Sequence, residues 1–209
     1  MKPNVGMVYP VAAAVDTYTA GSGITYDDGF VVSEARGATL TWNTLDGEFY
    51  GDDALLDTDN SVTGYTIDFE ATGLSDTVRG SLLGEVEGSA DEMVITGAPA
   101  PEVGFGYVRV MRDNSSGTVQ EVFEGWWFYR IRFARPNEEA RTKENSIEWR
   151  APTISGKGMG VYLSASDDYP NFVEHKSFTS LSAAKAYLNA KAGISDSETT
   201  SETTEGATT

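Results

Sequence analysis

The chain reads Gly125-Trp126-Trp127-Phe128-Tyr129-Arg130-Ile131-Arg132-Phe133-Ala134-Arg135-Pro136 over residues 125–136, a run of aromatic residues and arginines in an otherwise acidic protein. Successive side chains of a strand point to opposite faces, so the stretch predicts a strand with two different surfaces. The apolar surface carries Trp127, Tyr129, Ile131 and Phe133. The opposite surface carries Phe128, Arg130 and Arg132. Each surface is expected to contact a partner, so the sequence predicts a protein that assembles.

Patterns typical of strands continue on both sides of this stretch, and they predict a mainly β protein. Residues 105–112 and 118–134 form a predicted antiparallel hairpin, because the segment between them is rich in the turn-forming residues Asp, Asn, Ser and Gly. Residues 65–71 alternate apolar and polar side chains and predict a further strand. Residues 5–15 predict an edge strand, because Pro10 lacks the N–H group that a central strand needs.

Two short helices are predicted from their capping residues. Ser75 can accept a hydrogen bond from the first turn of a helix that stops at Gly84. Ser180 can cap a second helix that ends near Ala192, with Gly193 as its stop.

Two segments have no regular pattern. Residues 46–64 are rich in Asp and Gly and predict a long connection with little regular structure, which in a compact domain is usually functional or mobile. Residues 194–209 contain no aromatic and no basic residue, so they are too polar to offset the entropy lost on folding. They predict a disordered acidic tail.

The charge of the chain is uneven. Its 209 residues carry a formal net charge of −17, and residues 1–108 hold 18 acids against three cations. The second half is nearly neutral, so identical copies could attract one another head to tail. Tight DNA binding is not indicated, because phosphate binding needs a basic patch.

No constellation of catalytic residues is evident. The chain has no cysteine and a single histidine, His175, and it contains no Gly-x-Ser-x-Gly motif. Asp57, Asp59 and Ser61 have the opening spacing of a calcium loop, but Val62 stands where the turn glycine belongs. No stretch approaches the length of an apolar membrane span. The sequence therefore predicts no enzyme activity, no cofactor, no metal site and no membrane contact.

Several motifs resemble, in order and spacing, the major tail protein (tail tube protein) of bacteriophages with long non-contractile tails. The resemblance covers roughly residues 5–163. It is carried by Val5-Gly6-Met7-Val8-Tyr9-Pro10-Val11-Ala12, Glu48-Phe49-Tyr50-Gly51-Asp52-Asp53, Gly64-Tyr65-Thr66-Ile67-Asp68-Phe69, Leu82-Leu83-Gly84, Gly104-Phe105-Gly106-Tyr107, Tyr129-Arg130-Ile131-Arg132-Phe133 and Thr142-Lys143-Glu144-Asn145-Ser146-Ile147-Glu148-Trp149.

The resemblance implies a β-sandwich or barrel subunit that forms stacked, hexameric rings in the virion tail. The expected partners are other copies of the chain, a tape-measure protein and a tail terminator, while DNA passes through the lumen without specific binding. Residues 1–165 would form the tail tube domain, residues 166–193 a C-terminal extension with a helix, and residues 194–209 the tail. Assembly would take place in the host cytoplasm.

The resemblance and the patterns together name candidate interface residues. A long inter-subunit loop would dock through Phe49, Tyr50, Asp52 and Asp53. Arg130 and Arg132 would form a cationic face between subunits, and Asp68 and Glu70 are candidate acids of the lumen.

Two alternatives remain open. The chain could be a carbohydrate-binding or adhesive β module that uses Trp126 or Phe128 as a stacking platform. It could also be a glycan-active enzyme that uses paired carboxylates such as Asp52-Asp53 or Asp167-Asp168.

Overall fold

A computed structural model of the chain describes residues 3–51, 54–88, 92–114, 119–137 and 153–195. The described strands are β1 (Asn4–Thr19), β2 (Gly23–Val31), β3 (Ala35–Thr44), β4 (Gly47–Gly51), β5 (Ala54–Asp59), β6 (Val62–Ala71), β7 (Val86–Glu87), β8 (Met93–Val94), β9 (Glu102–Asp113), β10 (Gln120–Phe133), β11 (Thr153–Gly158) and β12 (Val173–Phe178). The described helices are α1 (Asp76–Leu83) and α2 (Leu181–Ala192). The prediction of a mainly β protein with two short helices is therefore confirmed.

One large antiparallel sheet organises the fold. Its strand order is β2-β1-β9-β10-β11-β6-β3, and β12 also pairs with β10. On the edge of β10 that faces away from β9, two strands pair with it one after the other. Strand β12 pairs with residues 123–128, and β11 pairs with residues 131–133. The sheet therefore divides at β10 into two halves.

The sheet folds back on itself and encloses a first core. In a flat sheet Phe69 of β6 and Phe105 of β9, three strands apart, would be about 14 Å from each other. Their ring centroids are 5.3 Å apart, so the strands between them curve strongly. Tyr65 of β6 likewise approaches Phe128 of β10, with ring centroids 5.4 Å apart. Helix α1 adds Leu82 to this sandwich-like core.

A second core lies on the outer side of the sheet, under α2. Trp127 of β10 is fully buried there, together with Leu188 and Ala184 of α2. Gly104 and Gly106 of β9 make room for the indole of Trp127, because a Cβ atom at either position would lie 2.5–2.7 Å from it. The C-terminal extension is thus packed against the same sheet as the rest of the chain.

Both helices begin and end where their capping residues predict. The Ser75 hydroxyl accepts a hydrogen bond from the N–H of Val78, and Gly84 adopts the left-handed conformation that ends α1. Ser180 caps the start of α2 in the same way, and Gly193 ends it in the same left-handed conformation. Helix boundaries follow from local chemistry, so the sequence contains them.

The prediction of one apolar surface along residues 127–133 is wrong. Between Phe128 and Ile131 the pairing with β9 gains one extra residue on β10, which is a β-bulge. The bulge reverses the alternation of the faces. Trp127 therefore points into the second core, whereas Ile131 and Phe133 point into the first core.

The edge-strand prediction for residues 5–15 is also wrong. Strand β1 lies between β2 and β9, and its proline sits at a bulge between Val8 and Val11. A proline is tolerated there because the ladder is already interrupted. Tyr9, just before the proline, has a φ of 56°.

The described residues include the first two positions of the predicted tail, residues 194 and 195. Ile194 is buried in the second core, so the packed part of the chain extends past α2. Residues 196–209 lie outside the described ranges.

Candidate functional site

Residues 47–59 form a separate β-hairpin rather than the irregular connection that the sequence predicts. Strands β4 and β5 pair from Gly47 opposite Asp59 to Gly51 opposite Ala54. Among the described residues they form a two-stranded sheet of their own, with no ladder to the large sheet. Phe49 and Tyr50 belong to β4, whereas Asp52 and Asp53 lie outside the described residues. Their docking role remains a prediction.

The hairpin joins the body of the protein at a defined root. The Leu45 N–H donates a hydrogen bond to the Ser61 carbonyl at 2.8 Å. The Asp59 carboxylate accepts hydrogen bonds from the Ser61 hydroxyl and from its backbone N–H. These two hydrogen bonds lower the pKa of the Asp59 carboxyl, because they stabilise its charged form. These hydrogen bonds therefore hold the root of the hairpin.

The hairpin is strongly acidic. Residues 46–59 contain six Asp and Glu residues and no Lys or Arg. The segment therefore carries a concentrated negative charge.

Arg130 and Arg132 share one carboxylate of their own chain. The Arg130 Nε donates to Glu102 Oε2 at 2.6 Å, and an Arg132 Nη donates to Glu102 Oε1 at 2.8 Å. The Arg130 guanidinium also lies 4.8 Å from the ring centroid of Tyr18. The Arg132 side chain remains 46% exposed. The two arginines meet at one carboxylate, and their role as a cationic face between subunits remains a prediction.

The outer sides of β11, β6 and β3 form a polar surface, which we call the bare face. Helix α2 packs on β1, β2, β9, β10 and β12, so the second core ends before this surface begins. Side chains that lie on the bare face include Thr39, Thr41, Thr66, Asp68, Glu70, Ser155 and Lys157.

The two candidate lumen acids both lie on the bare face. Asp68 accepts a hydrogen bond from the Ser155 hydroxyl across the strand pair, and Glu70 is exposed opposite Thr153. Their opposite neighbours along β6 are the buried residues of the first core. Their lumen role remains a prediction.

Trp126 and Phe128 are both covered within the chain. Phe128 is fully buried. The Arg109 guanidinium lies 4.7 Å from the Trp126 ring centroid, and the His175 ring stacks on Trp126 at 4.9 Å. The carbohydrate-binding alternative therefore has no open stacking surface at these two positions, and it remains a prediction.

One charged cluster that the sequence did not indicate fixes α2 to the sheet. Glu174 of β12 accepts hydrogen bonds from the hydroxyls of Tyr129 and Tyr187, and Lys191 Nζ lies 2.6 Å from its Oε1. Burial by itself raises the pKa of the Glu174 carboxyl, but the hydrogen bonds from Lys191, Tyr129 and Tyr187 outweigh burial and leave this pKa below its usual range. Only the folded chain brings these four residues together, so no sequence spacing reveals the cluster.

Asp167 of the paired acids stabilises a loop. Its Oδ2 accepts hydrogen bonds from the N–H groups of Leu163 and Ser164 and from the Asn171 amide, at 2.8–3.0 Å. The described part of the chain contains no group of three or more His, Asp or Glu side chains placed to hold a metal ion. Within the same ranges, neither helix has the length and apolar character needed to cross a membrane.

Comparison with known proteins adds no assignment. No protein-family model matches the chain, and no curated protein sequence matches it significantly.

Proposed function

We propose that this chain is a virion structural protein of the tail tube type, whose copies polymerise into stacked, hexameric rings. The tube would deliver DNA to the host, with a tape-measure protein inside it and a tail terminator at its end. The chain would act through its surfaces and catalyse no reaction.

The β4–β5 hairpin is the observation that carries this proposal. A two-stranded hairpin is marginally stable in water unless it packs against something else. Here the described residues offer it no ladder to the large sheet. Five residues of extended strand span about 17 Å, which is long enough to reach a neighbouring molecule. A hairpin of this kind gains its missing contacts when a second copy of the chain covers it.

Two further features support assembly around a hollow axis. The bare face is polar on three neighbouring strands, although the opposite side of those strands forms the first core. Such a surface suits contact with water or with passing DNA. Asp68 and Glu70 would repel phosphates there, so DNA could slide without binding.

Deletion of the hairpin tests the proposal. Removal of residues 48–60 leaves both cores intact, so we expect a folded monomer that makes no tubes. Electron microscopy and sedimentation would measure assembly, and circular dichroism would confirm folding. Removal of residues 196–209 is the matched control, because it takes away 14 residues and four acids, against 13 residues and five acids for the hairpin. Tubes of normal length from the hairpin deletion would refute the docking role.

The wild-type protein provides the more general test. If it remains a monomer at every concentration, the proposed function is wrong. Binding of a glycan by that monomer would then favour the carbohydrate-binding alternative.

A further inference from the structure

We infer that Trp42, together with Tyr162 and Tyr169, forms a stacking surface for a neutral carbohydrate chain. The inference does not rest on the proposed function, because a single copy of the chain carries the whole surface. It depends on where the exposed aromatic rings lie, how they are held and which charges surround them.

The exposed aromatic rings gather around one loop. Among the Phe, Tyr and Trp side chains that the structure describes, only Trp42, Tyr162 and Tyr169 are exposed, by 44%, 38% and 79%. The two tyrosines lie in the loop of residues 159–172, which joins β11 to β12. The Trp42 ring contacts the end of this loop, with its centroid 6.4 Å from that of Phe172. Grouped exposed apolar side chains mark binding surfaces in soluble proteins.

Buried rings fix the orientation of Trp42. Its centroid lies 5.7 Å from that of Tyr65, which is fully buried, and the two rings meet at 65°. It meets the Phe172 ring at 80°, and Phe172 packs against the first core. A ring that is already held in place loses little conformational entropy when a ligand stacks on it. Trp42 also lies on the opposite side of β3 from Thr41, so this surface is separate from the bare face.

Backbone hydrogen bonds fix the loop that carries the two tyrosines. Val161 and Asn171 exchange two of them, at 2.7 and 2.8 Å. The Tyr162 carbonyl accepts a hydrogen bond from the Gly21 N–H at 3.0 Å, and its own N–H donates to the Tyr18 hydroxyl oxygen at 3.1 Å. The loop is therefore held in one conformation by its own strand pair and by the turn between β1 and β2.

The charges around the rings favour a neutral ligand. Residues 37–51 and 159–173 contain four Asp and Glu residues and no Lys or Arg. Such a surface repels nucleic acids and acidic polysaccharides. The hydroxyl groups of a neutral sugar can donate hydrogen bonds to carboxylates, which only accept them, and its C–H face can pack on an aromatic ring. Asp168 is exposed next to Tyr169 and is the candidate acceptor.

The spacing of the rings favours a chain of sugars. Within the described ranges, Trp42 makes its ring contacts with Tyr65 and Phe172, and neither exposed tyrosine contacts it. An aromatic cage for a small cation needs several rings around one point. Separate rings instead suit successive units of an oligosaccharide.

Binding of neutral oligosaccharides to the full chain tests the inference. The probes are maltohexaose, cellohexaose and chitohexaose, and calorimetry should show that at least one binds with a Kd of about 1 mM or tighter. Trp42→Ala should weaken that binding by about tenfold or more, whereas Trp42→Phe, which keeps an aromatic ring, should weaken it less. Trp126→Phe is the matched control, because Arg109 and His175 cover the Trp126 ring, and it should bind like the wild type.

A second variant protects the test against misfolding. Tyr169 is largely exposed, so Tyr169→Ala should leave the circular dichroism spectrum unchanged and weaken binding by about threefold or more. A hexamer of galacturonic acid is the anionic probe, and charge repulsion should make it bind about tenfold more weakly than the best neutral probe. Tighter binding of this anionic probe would contradict the inference.

The outcomes separate this inference from the proposed function. If no neutral probe binds at about 10 mM, or if the Trp42→Ala and wild-type proteins bind equally, the inference is wrong, whether or not tubes form. Loss of tubes in Trp42→Ala, with no probe bound by the wild type, would assign the surface to contacts between copies instead. If the wild type remains a monomer and binds a probe through Trp42, the inference stands and the proposed function is wrong.

Discussion

The Tyr26 phenol donates a hydrogen bond to the carbonyl oxygen of Tyr129 at 2.7 Å, at the bulge where β10 changes faces. The same phenol oxygen accepts a hydrogen bond from the Trp127 indole N–H at 3.3 Å. A bulge removes backbone groups from the ladder, so a buried side chain must satisfy them. Tyr26 does this for β10, and it connects β2 to the bulge.

Substitution Tyr26→Phe should destabilise the fold. It leaves the Tyr129 carbonyl and the Trp127 N–H without this partner, at a cost of about 1–3 kcal/mol in the free energy of unfolding. Urea denaturation followed by tryptophan fluorescence would measure the change. Tyr169→Phe is the matched control, because Tyr169 is 79% exposed. Equal midpoints for the two variants would show that the phenol does not support the bulge.

Substitution Tyr65→Phe should have the opposite sign. The Tyr65 hydroxyl is buried, and the described residues provide it with no hydrogen-bond partner. Burial of an unpaired hydroxyl costs free energy, so its removal should leave stability unchanged or raise it by up to about 1 kcal/mol. The same urea experiment measures it. A loss of 1 kcal/mol or more, on the order of the Tyr26→Phe effect, would mean that the hydroxyl has a partner after all.

Substitution Gly158→Ala should damage the first core. A Cβ atom at residue 158 would lie 1.9 Å from Cζ of Tyr65, whose ring is also packed against Phe128 and Trp42. Overpacking of this kind costs about 1–3 kcal/mol. Gly37→Ala on β3 is the control, because nothing lies within 4 Å of its added Cβ. Thermal denaturation should separate the two variants, and similar melting temperatures would contradict the close packing.

Substitution Glu174→Gln should destabilise the protein in a pH-dependent way. The pKa of Glu174 is lowered in the folded state, so its carboxylate contributes stability above the ordinary glutamate pKa of about 4.3. That contribution disappears as the pH falls through the lower, folded-state pKa. The difference in urea midpoint between wild type and variant should therefore be largest near neutral pH and shrink in acid.

The control for this experiment removes an exposed acid. Glu121→Gln makes the same chemical change at an exposed position of β10. Its midpoint should follow that of the wild type at every pH. A Glu174→Gln deficit that persists unchanged in acid would indicate that packing, rather than the ionised carboxylate, stabilises α2.

Local chemistry explains the part of the fold that the sequence predicts. Ser75 and Gly193 mark helix ends because a cap needs only neighbouring backbone atoms. The alternation in residues 65–71 is correct for a similar reason, since this part of β6 has one buried and one more polar side.

The features that the sequence does not predict depend on distant contacts. The β10 bulge is hydrogen-bonded by Tyr26, which lies 103 residues away from Tyr129 in the chain. Strand β12 is polar and short, so its sequence carries no strand pattern. The β4–β5 hairpin is rich in Asp and Gly, which are typical of loops, so its sequence does not predict strands. For the candidate site, the sequence shows Arg130 and Arg132 as a pair, whereas Glu102 joins them only through strand pairing.

Strand β10 supplies side chains to both cores, on either side of its bulge. Heat that melts the packing under α2 would therefore loosen the sandwich as well, and a calorimeter should record a single endotherm. One strand would thus make the two cores unfold together, as a single cooperative unit.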